Sequence, residues 1–225
     1  MKRHIYISLF GLLIFSNFVY AQTDLNRFES TIVKFEQEDE KDGCDPNTVL
    51  FTGSSSILMW KSLHEDMAPI PAINRGFGGS TIPEVTYYAD RIILPHNPKI
   101  IVLYCGENDL ANDESKPKLA LKSFKKLHKW MRKNQPETKV FFLAIKPSIR
   151  RWNYWGKMSE ANAKLKKFMS KKDNYFFVDT ASLMLDEDGV VLQDIFIKDN
   201  LHMNAKGYEL WTKLLKPILE EHVDH

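Results

Sequence analysis

The chain has almost no net charge, only two cysteines and, beyond its first 21 residues, no long apolar run. Its 225 residues carry 31 Lys and Arg against 29 Asp and Glu, and the surplus bases, Lys2 and Arg3, lie at the amino terminus. The rest of the chain is formally neutral, which excludes nucleic-acid binding through bulk positive charge and membrane attachment through a polybasic surface. Hydrophobic residues at 44% and charged residues at 27% are ordinary globular values, so the chain as a whole is not disordered.

The two cysteines are predicted to remain free thiols. Cys44 precedes the first predicted strand, whereas Cys105 ends a later one. If these strands are parallel neighbours, the sulfur atoms lie roughly 15–20 Å apart, at about 3.3 Å per residue, which is too far for a disulfide. The cysteines are also distant in sequence and no two histidines have the spacing of metal ligands, so we expect no zinc site and no other metal or cofactor.

The amino-terminal segment has the layout of a secretory signal peptide. Met1–His4 is basic, Ile5–Tyr20 is mostly apolar, and Val19 and Ala21 occupy positions −3 and −1 of a cleavage site. An uncleaved anchor is the alternative, but the apolar run is short and interrupted by polar residues, so it would span a bilayer poorly. We therefore predict that residues 1–21 are removed and that the protein is exported, periplasmic or secreted, with no stable membrane anchor.

Residues 22–225 are predicted to form one α/β domain in which strands alternate with helices. The strands are continuously apolar, which indicates a parallel sheet covered on both faces. This pattern predicts a three-layer α/β/α sandwich around a central parallel sheet of about five strands. The predicted strands are Val49–Gly53, Pro71–Asn74, Ile100–Cys105, Val140–Ile145 and Tyr175–Asp179, and the helices are Ile82–Leu94, Lys116–Asn134, Lys157–Lys172 and Ala205–His222.

A further helix is predicted ahead of the first strand. Phe28, Ile32 and Phe35 recur at helical spacing, so Leu25–Glu36 is expected to be amphipathic. The acidic run Glu36–Asp45 that follows is expected to be a solvated connector.

Sites in such sheets lie beyond the carboxyl ends of the strands, so catalytic and binding residues are expected in the loops that follow the strands. The first strand runs into a glycine and three serines at 53–56, where a tight turn can expose a nucleophile, although serines also cap helices. The second is followed by a glycine-rich stretch at 75–81, whose backbone N–H groups can approach an anion closely. This stretch is not a dinucleotide fingerprint, because Thr81 occupies the third glycine position.

Two further loops carry side chains that suit catalysis. Asn108 follows the third strand; such residues are common in loops, but an amide at a strand tip can also donate to an oxyanion. Asp199 lies three residues before His202, so its carboxylate can orient the imidazole and leave Nε2 free as a base. The same segment also suits a helix start capped by Asn204.

Taken in order, these blocks resemble those of the SGNH (GDSL-like) hydrolase family. The resemblance extends from about Val49 to the last helix, and a stretch at 146–152 also looks like one that recurs in a bacterial branch of that family. It implies the flavodoxin-like fold of SGNH hydrolases and the cleavage of carboxylic esters. The blocks read F-T-G-S-S-S at 51–56, N-R-G-F-G-G-S at 74–80, Y-C-G-E-N-D at 104–109 and L-H-M-N-A-K-G-Y at 201–208.

The resemblance also implies a role for each residue of the site. Ser55 corresponds to the nucleophile, His202 to the base and Asp199 to the carboxylate that supports it. The oxyanion donors correspond to the backbone of Ser55 and Gly79 and to the side chain of Asn108. The first block departs from the family, because the usual G-D-S is replaced by Gly-Ser-Ser, which leaves the serines at 54 and 56 as alternative nucleophiles.

Aromatic and basic residues near the same loops are candidates for substrate binding. Trp60, Trp152 and Trp155 can stack on sugar rings or pack against the core, and Arg151 or its neighbour Arg150 can pair with an anionic group. We expect a small-acyl (acetyl) esterase that acts on a glycan or small molecule. The alternatives are a lysophospholipase-type acylhydrolase and a non-catalytic carbohydrate-binding protein.

Overall fold

Five parallel strands form the centre of the computed structural model, which describes residues 25–223. The strand order is β2-β1-β3-β4-β5, and every neighbouring pair is parallel. The predicted strands are therefore confirmed, with ends displaced by two residues at most. The strands are β1 (Val49–Gly53), β2 (Ala72–Gly76), β3 (Ile100–Tyr104), β4 (Lys139–Leu143) and β5 (Tyr175–Val178).

Helices cover both faces of this sheet and complete the predicted three-layer sandwich. In chain order they are α1 (Glu29–Asp42), α2 (Ser55–Leu58), α3 (Leu63–Met67), α4 (Ile82–Ile92), α5 (Glu107–Leu110), α6 (Lys118–Asn134), α7 (Trp155–Met169) and α8 (Ala205–Glu220). The apolar sides of α1, α4, α6 and α7 pack in one core, and those of α3 and α8 pack in the other. The short helices α2, α3 and α5 were not predicted, because one turn leaves no periodic pattern.

Alternation along each strand divides the apolar side chains between the two cores. In β1, Leu50 packs on the side of α4 and α6, and Phe51 packs on the side of α8. Ile101 and Val102 of β3 divide in the same way. Since successive side chains of a strand point to opposite faces, burial of both faces requires the continuous apolar runs seen in the sequence.

The acidic segment after the first predicted helix is not a solvated connector. Helix α1 continues through it to Asp42. Glu36 accepts hydrogen bonds from Arg91 of α4, and Glu38 and Asp39 both pair with Arg75 of β2. These acidic residues therefore face basic partners on neighbouring elements, which the local sequence does not reveal.

Both cysteines are free, as predicted: Cys44 is exposed and Cys105 is buried. The predicted signal peptide, residues 1–21, lies outside the described residues. Within residues 25–223, no helix is both long enough and apolar enough to cross a membrane.

Candidate active site

The turn after β1 brings one of the three consecutive serines to the surface. Gly53 has φ +123°, and a Cβ atom there would lie 1.9 Å from the carbonyl oxygen of Tyr104, so no other residue fits without moving the backbone. The Ser54 N–H donates to that same carbonyl at 2.9 Å. Ser54 and Ser56 are buried, whereas Ser55, at the start of α2, is partly exposed.

The partly exposed serine lies beside the predicted histidine and aspartate. Nε2 of His202 is 2.9 Å from Oγ of Ser55, and Nδ1 of His202 is 2.5 Å from Oδ2 of Asp199. An ionised carboxylate can only accept hydrogen bonds, so Nδ1 carries the proton and Nε2 is left as an acceptor facing the serine hydroxyl. The structure thus brings together three residues that lie up to 147 positions apart.

Asp199 is held in its charged form by the turn that contains it. Its Oδ1 accepts hydrogen bonds from the backbone N–H groups of Leu201 and His202, each at 2.9 Å. Burial raises the pKa of Asp199, but the hydrogen bonds from the His202 ring and from these two N–H groups outweigh burial and bring the pKa to about 2. The carboxylate is therefore ionised at neutral pH and can stabilise a histidinium.

The third loop places the side chain of Asn108 between two partners. Its Nδ2 donates to the carbonyl of Ser80 at 3.0 Å, and its Oδ1 accepts a hydrogen bond from Nη2 of Arg151 at 3.0 Å. The Arg151 contact also shows that the oxygen of the amide faces the guanidinium, because a guanidinium can only donate. The second N–H of the amide remains for a ligand.

The glycine-rich turn after β2 borders the same serine. A Cβ atom on Gly78 would lie 3.9 Å from Cβ of Ser55. Gly79 has φ +82°, a conformation that L residues rarely adopt, and its carbonyl accepts from Arg27 at 3.0 Å. The turn ends at Thr81, which forms a capping box at the start of α4.

A buried charged network beneath the site was not predicted. Nζ of Lys146, which is fully buried, lies 3.2 Å from Oε2 of Glu107 and donates to the carbonyl of Leu201 at 2.7 Å. Tyr104 donates to Oε2 of Glu107 at 2.7 Å, and Nη1 of Arg151 lies 3.2 Å from Oε1 of Glu107. The network therefore joins the loops after β3 and β4 to the turn that carries the catalytic histidine candidate.

Glu107 and Lys146, at the centre of this network, stabilise each other's charged form. Burial raises the pKa of Glu107, but the charges of Lys146 and Arg151 outweigh burial and the pKa lies below its usual range. Burial lowers the pKa of Lys146, and the charge of Glu107 opposes that fall. The sequence signal was a charged residue three positions after the end of each of two apolar strands, which is where side chains reach the site.

Of the three residues predicted to line a substrate pocket, Trp60 does not do so. Trp60 is 1% exposed and packs in the core against Phe51, Tyr208 and Trp211. Of the two roles considered for this residue, sugar stacking and core packing, the structure therefore shows core packing. Its indole N–H donates to Asp66 at 2.6 Å, which satisfies the one polar atom of the buried ring.

The other two are accessible to solvent: Arg151 is partly exposed and Trp152 is exposed. Arg151 contacts Asn108 and Glu107, as described above. Trp152 is 37% exposed and stacks on Trp155, with ring centroids 6.4 Å apart and an interplanar angle of 17°. The two rings form a flat aromatic surface adjacent in sequence to Arg151.

The parallel α/β/α sandwich, with Ser55, His202 and Asp199 at the carboxyl edge of its sheet, defines the chain as a protein of the SGNH hydrolase fold class. The model of the GDSL-like Lipase/Acylhydrolase family matches residues 42–210. The chain belongs to this family, as the sequence blocks predicted, and membership implies an ester hydrolase. No curated protein matches the chain significantly.

Solved structures share the fold at low sequence identity. A Streptococcus pneumonia protein named for platelet activating factor is 22% identical, covers 87% of this chain and 94% of its own, and has a TM-score of 0.76. A GDSL-like lipase from Bacteroides thetaiotaomicron is 19% identical over 88% and 98% of the two chains, with a TM-score of 0.69. A carbohydrate esterase family 3 protein from Talaromyces cellulolyticus is 15% identical over 78% and 97%, with a TM-score of 0.61.

Proposed function

We propose that this protein is an exported serine esterase that removes small acyl groups, acetyl above all, from a glycan or small molecule. Ser55 is the nucleophile, His202 the general base and Asp199 the carboxylate that orients the base. The observation that carries the proposal is the continuous chain of contacts at 2.5 Å and 2.9 Å from Asp199 through His202 to Ser55, the partly exposed one of the three serines at 54–56.

Acylation begins when Oγ of Ser55 attacks the ester carbonyl. Nε2 of His202 takes the hydroxyl proton as the new C–O bond forms, and Asp199 stabilises the resulting histidinium without taking a proton itself. The tetrahedral intermediate then collapses, and His202 gives that proton to the departing alcohol. A water molecule, activated by the same histidine, attacks the acyl-enzyme and releases the carboxylic acid and the free serine.

The developing oxyanion is held by donors from three loops. These are the backbone N–H groups of Ser55 and Gly79 and the second N–H of the Asn108 amide. Arg151 supports this role because its guanidinium fixes the amide oxygen, and with it the direction of the amide N–H groups. Removing one such donor in other hydrolases costs about 10²–10³ in kcat.

A carbohydrate ester is favoured by the aromatic pair that follows Arg151 in the chain. Trp152 and Trp155 present a stacked pair next to Arg151, and flat aromatic rings suit the apolar faces of sugars. One protein with the same fold is named as a carbohydrate esterase. Export is supported by the signal-peptide layout of residues 1–21 and is tested by the intact mass of the secreted protein, which we expect to begin at Gln22.

The activity is tested with a series of p-nitrophenyl esters of increasing chain length. We expect kcat/KM to be highest for acetate, and Ser55→Ala and His202→Ala each to lower kcat by several orders of magnitude. Ser170→Ala, which removes an exposed serine at the end of α7, serves as the matched control and should leave kcat unchanged. Full activity in folded Ser55→Ala protein would overturn the assignment of Ser55 as the nucleophile.

The substrate class is tested separately by product release. We expect acetate to be released from acetylated oligosaccharides, and Trp152→Ala to raise KM for them while leaving kcat/KM for p-nitrophenyl acetate unchanged. Preference for octanoyl over acetyl esters together with release of fatty acid from lysophosphatidylcholine would instead identify a lipid acylhydrolase. Sugar binding without turnover of any ester would identify a carbohydrate-binding protein.

A further inference from the structure

A second cluster of reactive side chains lies apart from the candidate active site. Asp39 is in the last turn of α1, Cys44 is in the connection to β1, and His96 is in the short 3₁₀ turn before β3. One donor atom from each lies within 4.8 Å of the other two. These three residues precede strands, whereas the loops that hold Ser55 and His202 follow strands or precede the last helix.

Two buried polar atoms in this cluster, Nε2 of His96 and Oδ2 of Asp39, lie against each other. His96 is 2% exposed and the side chain of Asp39 is 9% exposed. Within the described part of the chain, neither Nε2 of His96 nor Oδ2 of Asp39 has a hydrogen-bond partner. The two atoms contact each other at 3.1 Å, as a His–Asp pair does, and a cation between them would use the lone pairs of both atoms.

The spacing of these two atoms is that of two ligands on one ion. They lie 3.1 Å apart. A tetrahedral zinc ion with bonds of about 2.0 Å to nitrogen and oxygen requires a ligand separation of about 3.3 Å. Cys44 is exposed, so its thiol can turn toward the pair and supply the sulfur ligand. Water then completes four-fold coordination on the exposed side.

A divalent cation would also neutralise the net negative charge of the cluster. The other oxygen of Asp39 pairs with Arg75, and Arg75 also contacts Glu38 at 3.0 Å. Arg75 and Glu38 cancel each other, so a Cys44 thiolate, the Asp39 carboxylate and a doubly charged ion give a neutral site.

We propose that Asp39, Cys44 and His96 bind one zinc ion that ties the end of α1 to the entries of β1 and β3. Sulfur, imidazole and carboxylate ligands in tetrahedral geometry favour zinc over calcium or magnesium, which take oxygen ligands. On binding, the Cys44 thiol loses its proton to solvent as the S–Zn bond forms. The sequence prediction of no metal site rested on local spacing, and these ligands come from three separate segments.

The test is a zinc titration of metal-free mature protein against a chromophoric chelator. We expect one zinc ion per chain, and Cys44→Ser and His96→Gln each to weaken binding by more than about tenfold. His64→Gln, which removes an exposed histidine of α3, is the matched control and should bind as the wild type does. Because Cys44 is exposed, Cys44→Ser is expected to fold even if the buried His96 variant does not.

Thiol chemistry gives a second readout that does not depend on activity. Zinc should protect Cys44 from alkylation, and cobalt in its place should give a thiolate charge-transfer band that Cys44→Ser lacks. Buried Cys105 is present in both proteins, so the difference reports on Cys44 alone. Absence of stoichiometric zinc, or equal affinity in Cys44→Ser, would overturn the site and leave Asp39 and His96 as a buried pair only. Ester hydrolysis is not a readout of this test.

Discussion

Nη2 of Arg151 donates to Oδ1 of Asn108 at 3.0 Å, while Nη1 of the same guanidinium lies 3.2 Å from Glu107. One side chain from the loop after β4 therefore orients the proposed oxyanion donor on the loop after β3. The planar guanidinium suits this double contact, since its donors are fixed relative to one another. The position of Asn108 thus depends on a residue that does not itself contact the nucleophile.

Removing this guanidinium is expected to impair catalysis more than binding. Arg151→Met should lower kcat about 10- to 100-fold with little change in KM. The Asn108 amide loses its fixed orientation, but its N–H groups can still reach the oxyanion for part of the time. Arg151→Met should also lower stability, because Glu107 loses a cationic partner. Arg151→Lys should restore that charge and most of the stability, but not the kcat, because an ammonium cannot make both contacts of the guanidinium. Arg132→Met, which removes an exposed arginine of α6, is the control in p-nitrophenyl acetate assays. Wild-type kcat in Arg151→Met would contradict this positioning role.

Breaking the buried ion pair beneath the site should strongly destabilise the protein. Lys146→Met leaves Glu107 buried with one cation fewer, which we expect to lower the free energy of unfolding by about 3–5 kcal/mol. Adding Glu107→Gln to Lys146→Met should cost less than the sum of the two single changes. Urea unfolding measures both effects, with Lys164→Met as the control.

The control removes an exposed ion pair instead of a buried one. Lys164 lies 3.0 Å from Glu160 on the surface of α7, and its loss should change stability by no more than about 0.5 kcal/mol. Strict additivity of the Glu107 and Lys146 changes would show that the two charges do not depend on each other.

Trp60 and Trp152, both predicted from the sequence to line a substrate pocket, should differ in how much they contribute to stability. Trp60→Leu opens a cavity among three aromatic rings and leaves Asp66 without a donor, so we expect a loss of about 3 kcal/mol. Trp152→Leu, on the surface, should change stability by less than about 0.5 kcal/mol. Equal losses in thermal or urea unfolding would show that Trp152 is also a structural residue.

The acid stability of the protein should depend on Asp199. Its pKa falls from an ordinary 3.8 to about 2 on folding, so the unfolded chain binds the proton more readily between these values. The resulting stabilisation is fully present above about pH 4 and is lost as the pH falls through about 2. Asp199→Asn should therefore flatten the dependence of unfolding free energy on pH in this window, and an unchanged slope in the variant would contradict the lowered pKa.

The sequence predicted the sheet well because its signals are local. Four of the five strands are largely apolar runs between turn residues, and both faces of β1 and β3 are buried as that pattern requires. The exception is β2, which carries Asn74 and Arg75. Asp199 and His202 were found for the same reason, since they lie three positions apart on one turn. The resemblance already assigned the nucleophile to Ser55, and the structure adds that Ser55 is partly exposed whereas Ser54 and Ser56 are buried.

Features that depend on distant partners could not be predicted. Helix α1 extends through an acidic run because Arg75 and Arg91, from other elements, face its acidic side chains. Lys146 is buried in the network because Glu107 and the Leu201 carbonyl meet it from two other loops. Hydropathy alone places a lysine on the surface, and only the assembled fold supplies partners that allow its burial.

Covalent labelling with a fluorophosphonate, followed by peptide mapping, tests the central claim most directly. The account predicts a single adduct on Ser55 in the wild type, in Ser54→Ala and in Ser56→Ala, and no adduct in Ser55→Ala or after removal of His202. Circular dichroism establishes that each variant is folded. An adduct on Ser54 or Ser56, or labelling that persists in folded Ser55→Ala, would contradict it.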